Sequence, residues 1–110
     1  MREIPVYEFY KILEKNEKPI VVVCYLPAEC CPRSFEMLKI VTEVSEKRND
    51  FDFFSMRGTE CIDYINEFYI SDAPTTNIFH EGESLVKIEG LILQTKFIQK
   101  LDEFLAGIKK

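Results

Sequence analysis

Two adjacent cysteines followed by a proline, Cys30-Cys31-Pro32-Arg33, are the residues of this chain best placed to do chemistry. They follow a β-branched apolar run, Ile20 to Leu26, and precede apolar residues at helical spacing, Phe35, Leu38, Val41 and Val44. A thiol at such a junction sits where a buried strand hands over to a helix. The free N–H groups of a helix N-terminus favour negative charge, and the thiolate is the nucleophilic form of cysteine. Cys30 therefore has the first claim to be an attacking nucleophile, with Arg33 stabilising its thiolate. Cys31 is an auxiliary thiol beside it. A disulfide between the two would be strained, because successive Cα atoms lie closer together than a disulfide prefers.

The other reactive side chains have plainer explanations. Cys24 lies in the middle of the apolar run and reads as a small buried hydrophobe. Cys61 opens a later helix and reads as a partly buried residue of the cap region, with a regulatory thiol as the alternative. His80, the single histidine, falls in a turn and reads as solvent-facing rather than as a general base. The cysteine spacing supplies no second ligand pair, so neither a metal site nor a cofactor is expected. Paired carboxylates, a glycine-rich phosphate loop and a nucleophile elbow are all missing from the sequence.

A chain of 110 residues is read as one domain over 1–110, large enough for a core without disulfide staples. The formal net charge of −5 argues against a nucleic-acid partner, because phosphate binding needs a basic surface. No apolar run approaches the ~20 residues that span a bilayer, so no membrane partner is expected. Met1-Arg2-Glu3-Ile4-Pro5 lacks the apolar stretch of a signal peptide, and the expectation is a cytoplasmic protein with reduced thiols.

The elements that must hold the cysteines follow from periodicity. Val6, Phe9, Tyr10 and Leu13 predict an amphipathic helix ending near Asn16. Lys18 and Pro19 break it before the buried strand Ile20 to Leu26. Pro32 suits the first turn of the second helix, whose core stripe is read as Phe35, Leu38, Val41 and Val44. Phe51 to Met56 is a short aromatic strand. Gly58 and Thr59 open a third helix, with Ile62, Ile65, Phe68 and Tyr69 facing inward. Ser71 to Thr76 is a loop feeding a strand through Ile78 and Phe79. His80-Glu81-Gly82-Glu83 is a turn with Gly82 at positive φ, and Leu85, Val86 and Ile88 form the last strand. Gln94 to Ile108 closes the chain as a helix, and the charged residues from Lys96 to Lys110 read as its solvated face. A short strand before residue 6 is weakly signalled. The class is α/β, with a central mixed sheet of four to five strands flanked by four helices.

With these elements in order, residues 6 to 108 resemble the thioredoxin fold. Three stretches carry the resemblance: the apolar strand running into Cys30-Cys31-Pro32, then Ala73-Pro74-Thr75, then Phe79-His80-Glu81-Gly82-Glu83 with the trailing Gly90. The resemblance implies a cis Pro74 whose loop faces Cys30 and offers backbone groups to an extended peptide. It makes Leu26, Pro32, Ala73, Pro74 and Thr75 the partner-binding residues. It also exposes departures from the family's dithiol site. Arg33 stands where the resolving cysteine is expected, and Cys24 where a buried acid is. Ser55 lies near the place of that acid's lysine partner, and Leu26 and Glu29 stand where tryptophans flank the motif.

Val21-Val22-Val23, Thr59-Glu60-Cys61-Ile62, Ala73-Pro74-Thr75 and Glu81-Gly82-Glu83 are also similar to the thioredoxin-like domain of phosducin-like proteins. That likeness implies a binding module, with a chaperonin-assisted folding system among its partners. Two functions follow. The favoured one is a co-chaperone-type module that holds a protein partner without dithiol turnover. The other is a thiol-disulfide oxidoreductase using one attacking cysteine, with glutathione or another protein as the resolving thiol.

Overall fold

A computed structural model of the chain describes residues 1–108; the end of the expected solvated face, Lys109 and Lys110, lies outside them. The elements run β1 (Arg2–Glu3), α1 (Val6–Lys15), β2 (Ile20–Tyr25), α2 (Pro32–Ser45) and β3 (Asp52–Arg57). A 3-10 turn (Gly58–Glu60) leads into α3 (Ile62–Glu67), then β4 (Thr75–His80), β5 (Glu83–Glu89) and α4 (Gln94–Ile108). The sheet order is β1-β3-β2-β4-β5. β1 and β2 pair with β3 in parallel, whereas β4 pairs antiparallel with β2 and β5. The thioredoxin-like α/β class is thus what the chain adopts, with five strands and four α-helices. The weakly signalled first strand is real but only two residues long.

β2 is the central strand, and all six of its residues are buried. Successive side chains of a strand point to opposite faces, so β2 serves two cores. Val21 and Val23 pack with Met37, Val41, Phe97 and Leu101 beneath α2 and α4. Val22 and Cys24 pack with Phe9, Met56, Tyr64 and Phe79 beneath α1 and α3. The second core is bound by aromatic edges. Phe9 meets Tyr64 at 5.2 Å, Phe79 at 5.1 Å and Phe68 at 5.9 Å between ring centroids, separations at which edge-to-face pairs are attractive. Glu81 (φ 52°) and Gly82 (φ 82°) form a tight two-residue turn between β4 and β5. Positive φ at both positions gives the twist that antiparallel neighbours need.

Two helical stripes depart from the periodicity reading. In α2 Val41 and Val44 are buried as read and Leu38 packs against that core, but the inward face is headed by Ser34 and Met37, while Phe35 stays 39% exposed. The helix starts at Pro32 and turns its 34-37-41-44 face to the sheet, leaving Phe35 against the ammonium of Lys39. The expected third helix is interrupted at Cys61, with a 3-10 turn before it and one and a half turns of α-helix after. That change of pitch rotates Tyr64 into the core and leaves Ile62 64% exposed, while Tyr69, past the helix end at φ 55°, is 82% exposed. His80 is also less open than a turn residue should be, because its ring lies edge-on to Phe104 at 6.3 Å.

Thr76 of β4 is fully buried, and its hydroxyl is the one side-chain polar group among the described buried residues without a hydrogen-bond partner. A buried hydroxyl left unpaired is a net loss to the folded state. Thr76→Val keeps the shape and removes that loss. It should raise the unfolding free energy by about 1 kcal/mol in urea denaturation.

Candidate functional site

β2 ends at Tyr25, and residues 26–31 carry the chain to the start of α2. This loop is wound tightly: the backbone N–H groups of Cys30 and Cys31 both donate to the Pro27 carbonyl, at 2.9 and 3.0 Å. Neighbouring residues in so tight a turn point in different directions. Cys30 is directed to solvent and is exposed, whereas Cys31 is half-buried and is the N-cap residue of α2. The Cys31 thiol lies 3.8 Å from the Ala73 carbonyl oxygen, to which it is positioned to donate. Pro32 takes the first helical position, where its missing N–H leaves nothing unpaired.

One turn into the helix, Ser34 is completely buried. Its Oγ accepts the Leu26 N–H at 2.6 Å, which ties the end of β2 to the start of α2. Its own N–H donates to the Cys31 carbonyl at 3.1 Å. Residues three apart on a helix are neighbours on one side, so Cys31 and Ser34 share the inward face. Arg33 is exposed between them. The reading that paired Cys30 with Arg33 counted four residues from the first cysteine. The inward pair in the structure is Cys31 with Ser34, one residue later.

The opposing wall is the loop before β4. The Ala73–Pro74 bond is cis. Asp72 supports this bend twice, its carboxylate accepting the Ala73 N–H at 2.8 Å and its carbonyl accepting the Thr75 hydroxyl at 2.6 Å. On the far side, the Gly90 N–H donates to the Pro74 carbonyl at 2.8 Å. Pro74 and Thr75 are buried, so Ala73 is the part of Ala73-Pro74-Thr75 that a partner could touch with a side chain. Leu26 is half-buried and Pro32 exposed. The resemblance placed this loop opposite Cys30, and the thiol that meets it is that of Cys31.

Beneath Ala73 lies an open groove of about 240 Å³, walled by Leu26, Gly58, Ile65 and Ile70, with Cys24 at its floor. Gly58 lets the chain pass close to β2: a Cβ there would come 3.1 Å from Leu26 Cδ2 and 3.3 Å from the Tyr25 carbonyl oxygen. Cys24 and Cys61 are both buried, with their sulfurs 3.9 Å apart. The tyrosine at the end of β2 is turned inward, its hydroxyl bonded to Glu3. Burial and then that carboxylate hold Tyr25 above the usual phenol range. Tyr25 is therefore buried, with Glu3 and Arg57 as its partners, while Ala28 is exposed. Among the described residues, no three His, Cys, Asp or Glu side chains gather as a metal site. His80 is at the opposite end of β4 from Thr75 and shares nothing with the thiols. No helix among the described residues is long and apolar enough to cross a membrane.

The inward pair was legible in principle. Ser34, Met37, Val41 and Val44 recur at helical spacing, and that stripe, rather than the one beginning at Phe35, faces the sheet. A small polar residue at the head of an apolar stripe is the signal that the stripe's first turn holds something other than packing.

Comparison with known proteins gives a consistent picture. Residues 2–103 match the thioredoxin family. The chain is 35% identical over 102 residues to thioredoxin Y, chloroplastic, of Oryza sativa subsp. japonica, covering 92% of this chain and 60% of that protein. It is 33% identical over 98 residues to thioredoxin Y1, chloroplastic, of Arabidopsis thaliana, covering 88% and 56%. The chain thus spans somewhat under two thirds of the length of these curated relatives. Among solved structures, a designed protein superposes with a TM-score of 0.80 at 24% identity, covering 94% of this chain and 90% of that one. A chain from work on thiol resolution in yeast mitochondrial 1-Cys peroxiredoxin via glutathione/thioredoxin systems gives 0.79 at 20%, covering 94% and 93%. At these identities the two structures speak for the fold alone.

Proposed function

We propose, since this chain belongs to the thioredoxin family, that it is a thiol-disulfide oxidoreductase working through the single attacking thiol of Cys31. The observation that carries this reading is the position of Cys31. It caps α2, is half-buried and faces the Ala73 carbonyl, with Ser34 rather than a second thiol at the next inward position.

In the forward step the Cys31 thiolate attacks one sulfur of a substrate disulfide. A new S–S bond joins Cys31 to the substrate, and the other substrate sulfur leaves as a thiolate. The charge that concentrates at the Cys31 sulfur lies at the N-terminal end of a fourteen-residue helix, where it is favoured. The substrate chain can lie extended beside Ala73, whose carbonyl is directed at the reacting sulfur. Ser34 has no thiol, so the mixed disulfide must be opened from outside. A glutathione thiolate takes the Cys31 sulfur and releases the second substrate thiolate, and a second glutathione then frees Cys31 as glutathione disulfide forms. The sum is one substrate disulfide and two glutathione thiols giving two substrate thiols and one glutathione disulfide.

The missing second thiol also favours a reading in which the same surface holds a protein partner without exchange, as in phosducin-like proteins. The names of the curated relatives, both thioredoxins, support exchange over holding. Reduction of insulin disulfides, with glutathione and separately dithiothreitol as the electron source, distinguishes them. Exchange requires turnover above the protein-free rate in at least one of the two. Turnover in neither would overturn it and leave partner holding, to be sought by pull-down with charge introduced at Leu26.

A further inference from the structure

Cys24 and Cys61 take no part in the exchange just described, yet their sulfurs lie 3.9 Å apart inside the protein. Cys24 is 1% and Cys61 2% exposed. The first is the last residue but one of β2; the second is the N-cap residue of α3. Two thiols in a wholly apolar setting need no such contact, since each could pack as a small hydrophobe. Here each sulfur's residue also lines a cavity, and the two cavities differ. Cys24 is at the floor of the 240 Å³ groove beneath Ala73. Cys61 borders a second cavity of about 170 Å³, formed by Glu3, Ile4, Pro5, Arg57 and Glu60. Both are several times the ~30 Å³ share of a liquid water, so each has room for a molecule as small as a hydroperoxide beside the cysteine that borders it.

The contact also divides the two thiols electrically. The contact with Cys24 lowers Cys61, against the opposing effects of burial and of nearby Glu60. The same contact and burial push Cys24 far up. Of the two, Cys61 is thus the sulfur that loses its proton more readily.

We propose that Cys24 and Cys61 are a peroxide-oxidised pair that closes to an internal disulfide, stapling the end of β2 to the start of α3. The Cys61 thiolate attacks one oxygen of hydrogen peroxide, an S–O bond forms, the O–O bond breaks, and hydroxide leaves to take a proton from solvent. The Cys24 sulfur then attacks the sulfenic sulfur of Cys61. The S–S bond forms, and the sulfenic hydroxyl leaves with the Cys24 proton as water. Two thiols and one peroxide give one disulfide and two waters. The sulfurs must approach by about 2 Å to reach bonding distance. Short segments flank Cys61, namely the 3-10 turn, none of whose residues is buried, and the six-residue α3, and a shift of the turn can supply that movement. The staple would form at the floor of the groove beneath Ala73, whose carbonyl meets the Cys31 thiol.

This proposal stands independently of exchange at Cys31, and its test uses the full chain carrying Cys30→Ser and Cys31→Ser. The protein is treated with hydrogen peroxide, unfolded, alkylated without reduction and digested for mass spectrometry. The expected result is loss of both remaining thiols, with a linked peptide joining Cys24 to Cys61. The oxidised form should melt about 5 °C or more above the reduced one, as a cross-link closing a long loop does. Adding Cys24→Ala should remove both the linked peptide and the rise. Full alkylation of Cys24 and Cys61 after peroxide would overturn the proposal. So would links found only between separate chains.

Discussion

Cys31→Ser is expected to reduce disulfide exchange to the uncatalysed rate, a loss of roughly 100-fold or more, because no other thiol meets the substrate loop. Cys30→Ser should keep most of the activity. The two residues are adjacent and chemically alike, so the difference comes only from direction. The double hydrogen bond to the Pro27 carbonyl turns Cys30 to solvent and Cys31 toward Ala73. The measurement is the initial rate of insulin reduction for both variants at equal concentration, with glutathione as donor. A matching check is mass spectrometry of the mixed disulfide with glutathione, which should form on Cys31 and persist in Cys30→Ser. If the serine at position 30 silences the protein while that at 31 leaves it active, the proposed roles are reversed and the turn does not set them.

The second large effect is a gain. Ser34→Cys should accelerate exchange driven by dithiothreitol by about tenfold or more, since an internal thiol opens the mixed disulfide far faster than one from solution. Ser34 is buried on the same face as Cys31, one helical turn away, which is the relation a resolving thiol needs. Arg33→Cys places its thiol two residues from Cys31 on the exposed side, where the geometry for a disulfide is poor. The comparison is sharp because counting from Cys30 predicts the reverse, with Arg33→Cys as the enhancing change. Ser34→Cys also weakens the 2.6 Å bond that holds the Leu26 N–H. A fall in stability of about 1 kcal/mol is therefore expected beside the gain in rate. Equal rates for Ser34→Cys and the unaltered chain would show that release of the mixed disulfide does not limit turnover through Cys31.

Both predictions turn on one residue of register, which marks where the sequence was readable and where it was not. The buried central strand was readable because Ile20 to Tyr25 is a short, β-branched run apolar on both faces, as a covered strand is. The closing helix was readable from its start at Gln94, because its apolar stripe is long and unbroken. In the third helix region Ile65 and Phe68 pack inward as read. The periodicity there is short and restarts at Cys61 after a 3-10 turn, so Ile62 faces out, Tyr64 faces in, and Tyr69 lies exposed past the helix end. In α2 an apolar stripe from Phe35 and another from Ser34 were nearly equivalent as patterns, and the polar head of the true stripe hid it.

The sequence alone determined the layered α/β class, the central strand and the arrival of two cysteines at the start of a helix. It did so through local causes: alternation, helical spacing, a proline fit for a first turn and a glycine at Gly82. Three matters were decided only by tertiary structure. Which cysteine faces the Ala73 carbonyl depends on the turn closed at Pro27 and on a loop forty-two positions away. Which helix residue is buried opposite that thiol depends on how α2 is rotated against the sheet. That Cys24 meets Cys61, thirty-seven positions on, depends on Gly58 allowing the chain to pass close over the end of β2. Each is a contact between segments remote in sequence, and periodicity carries no information about the direction in which such segments meet.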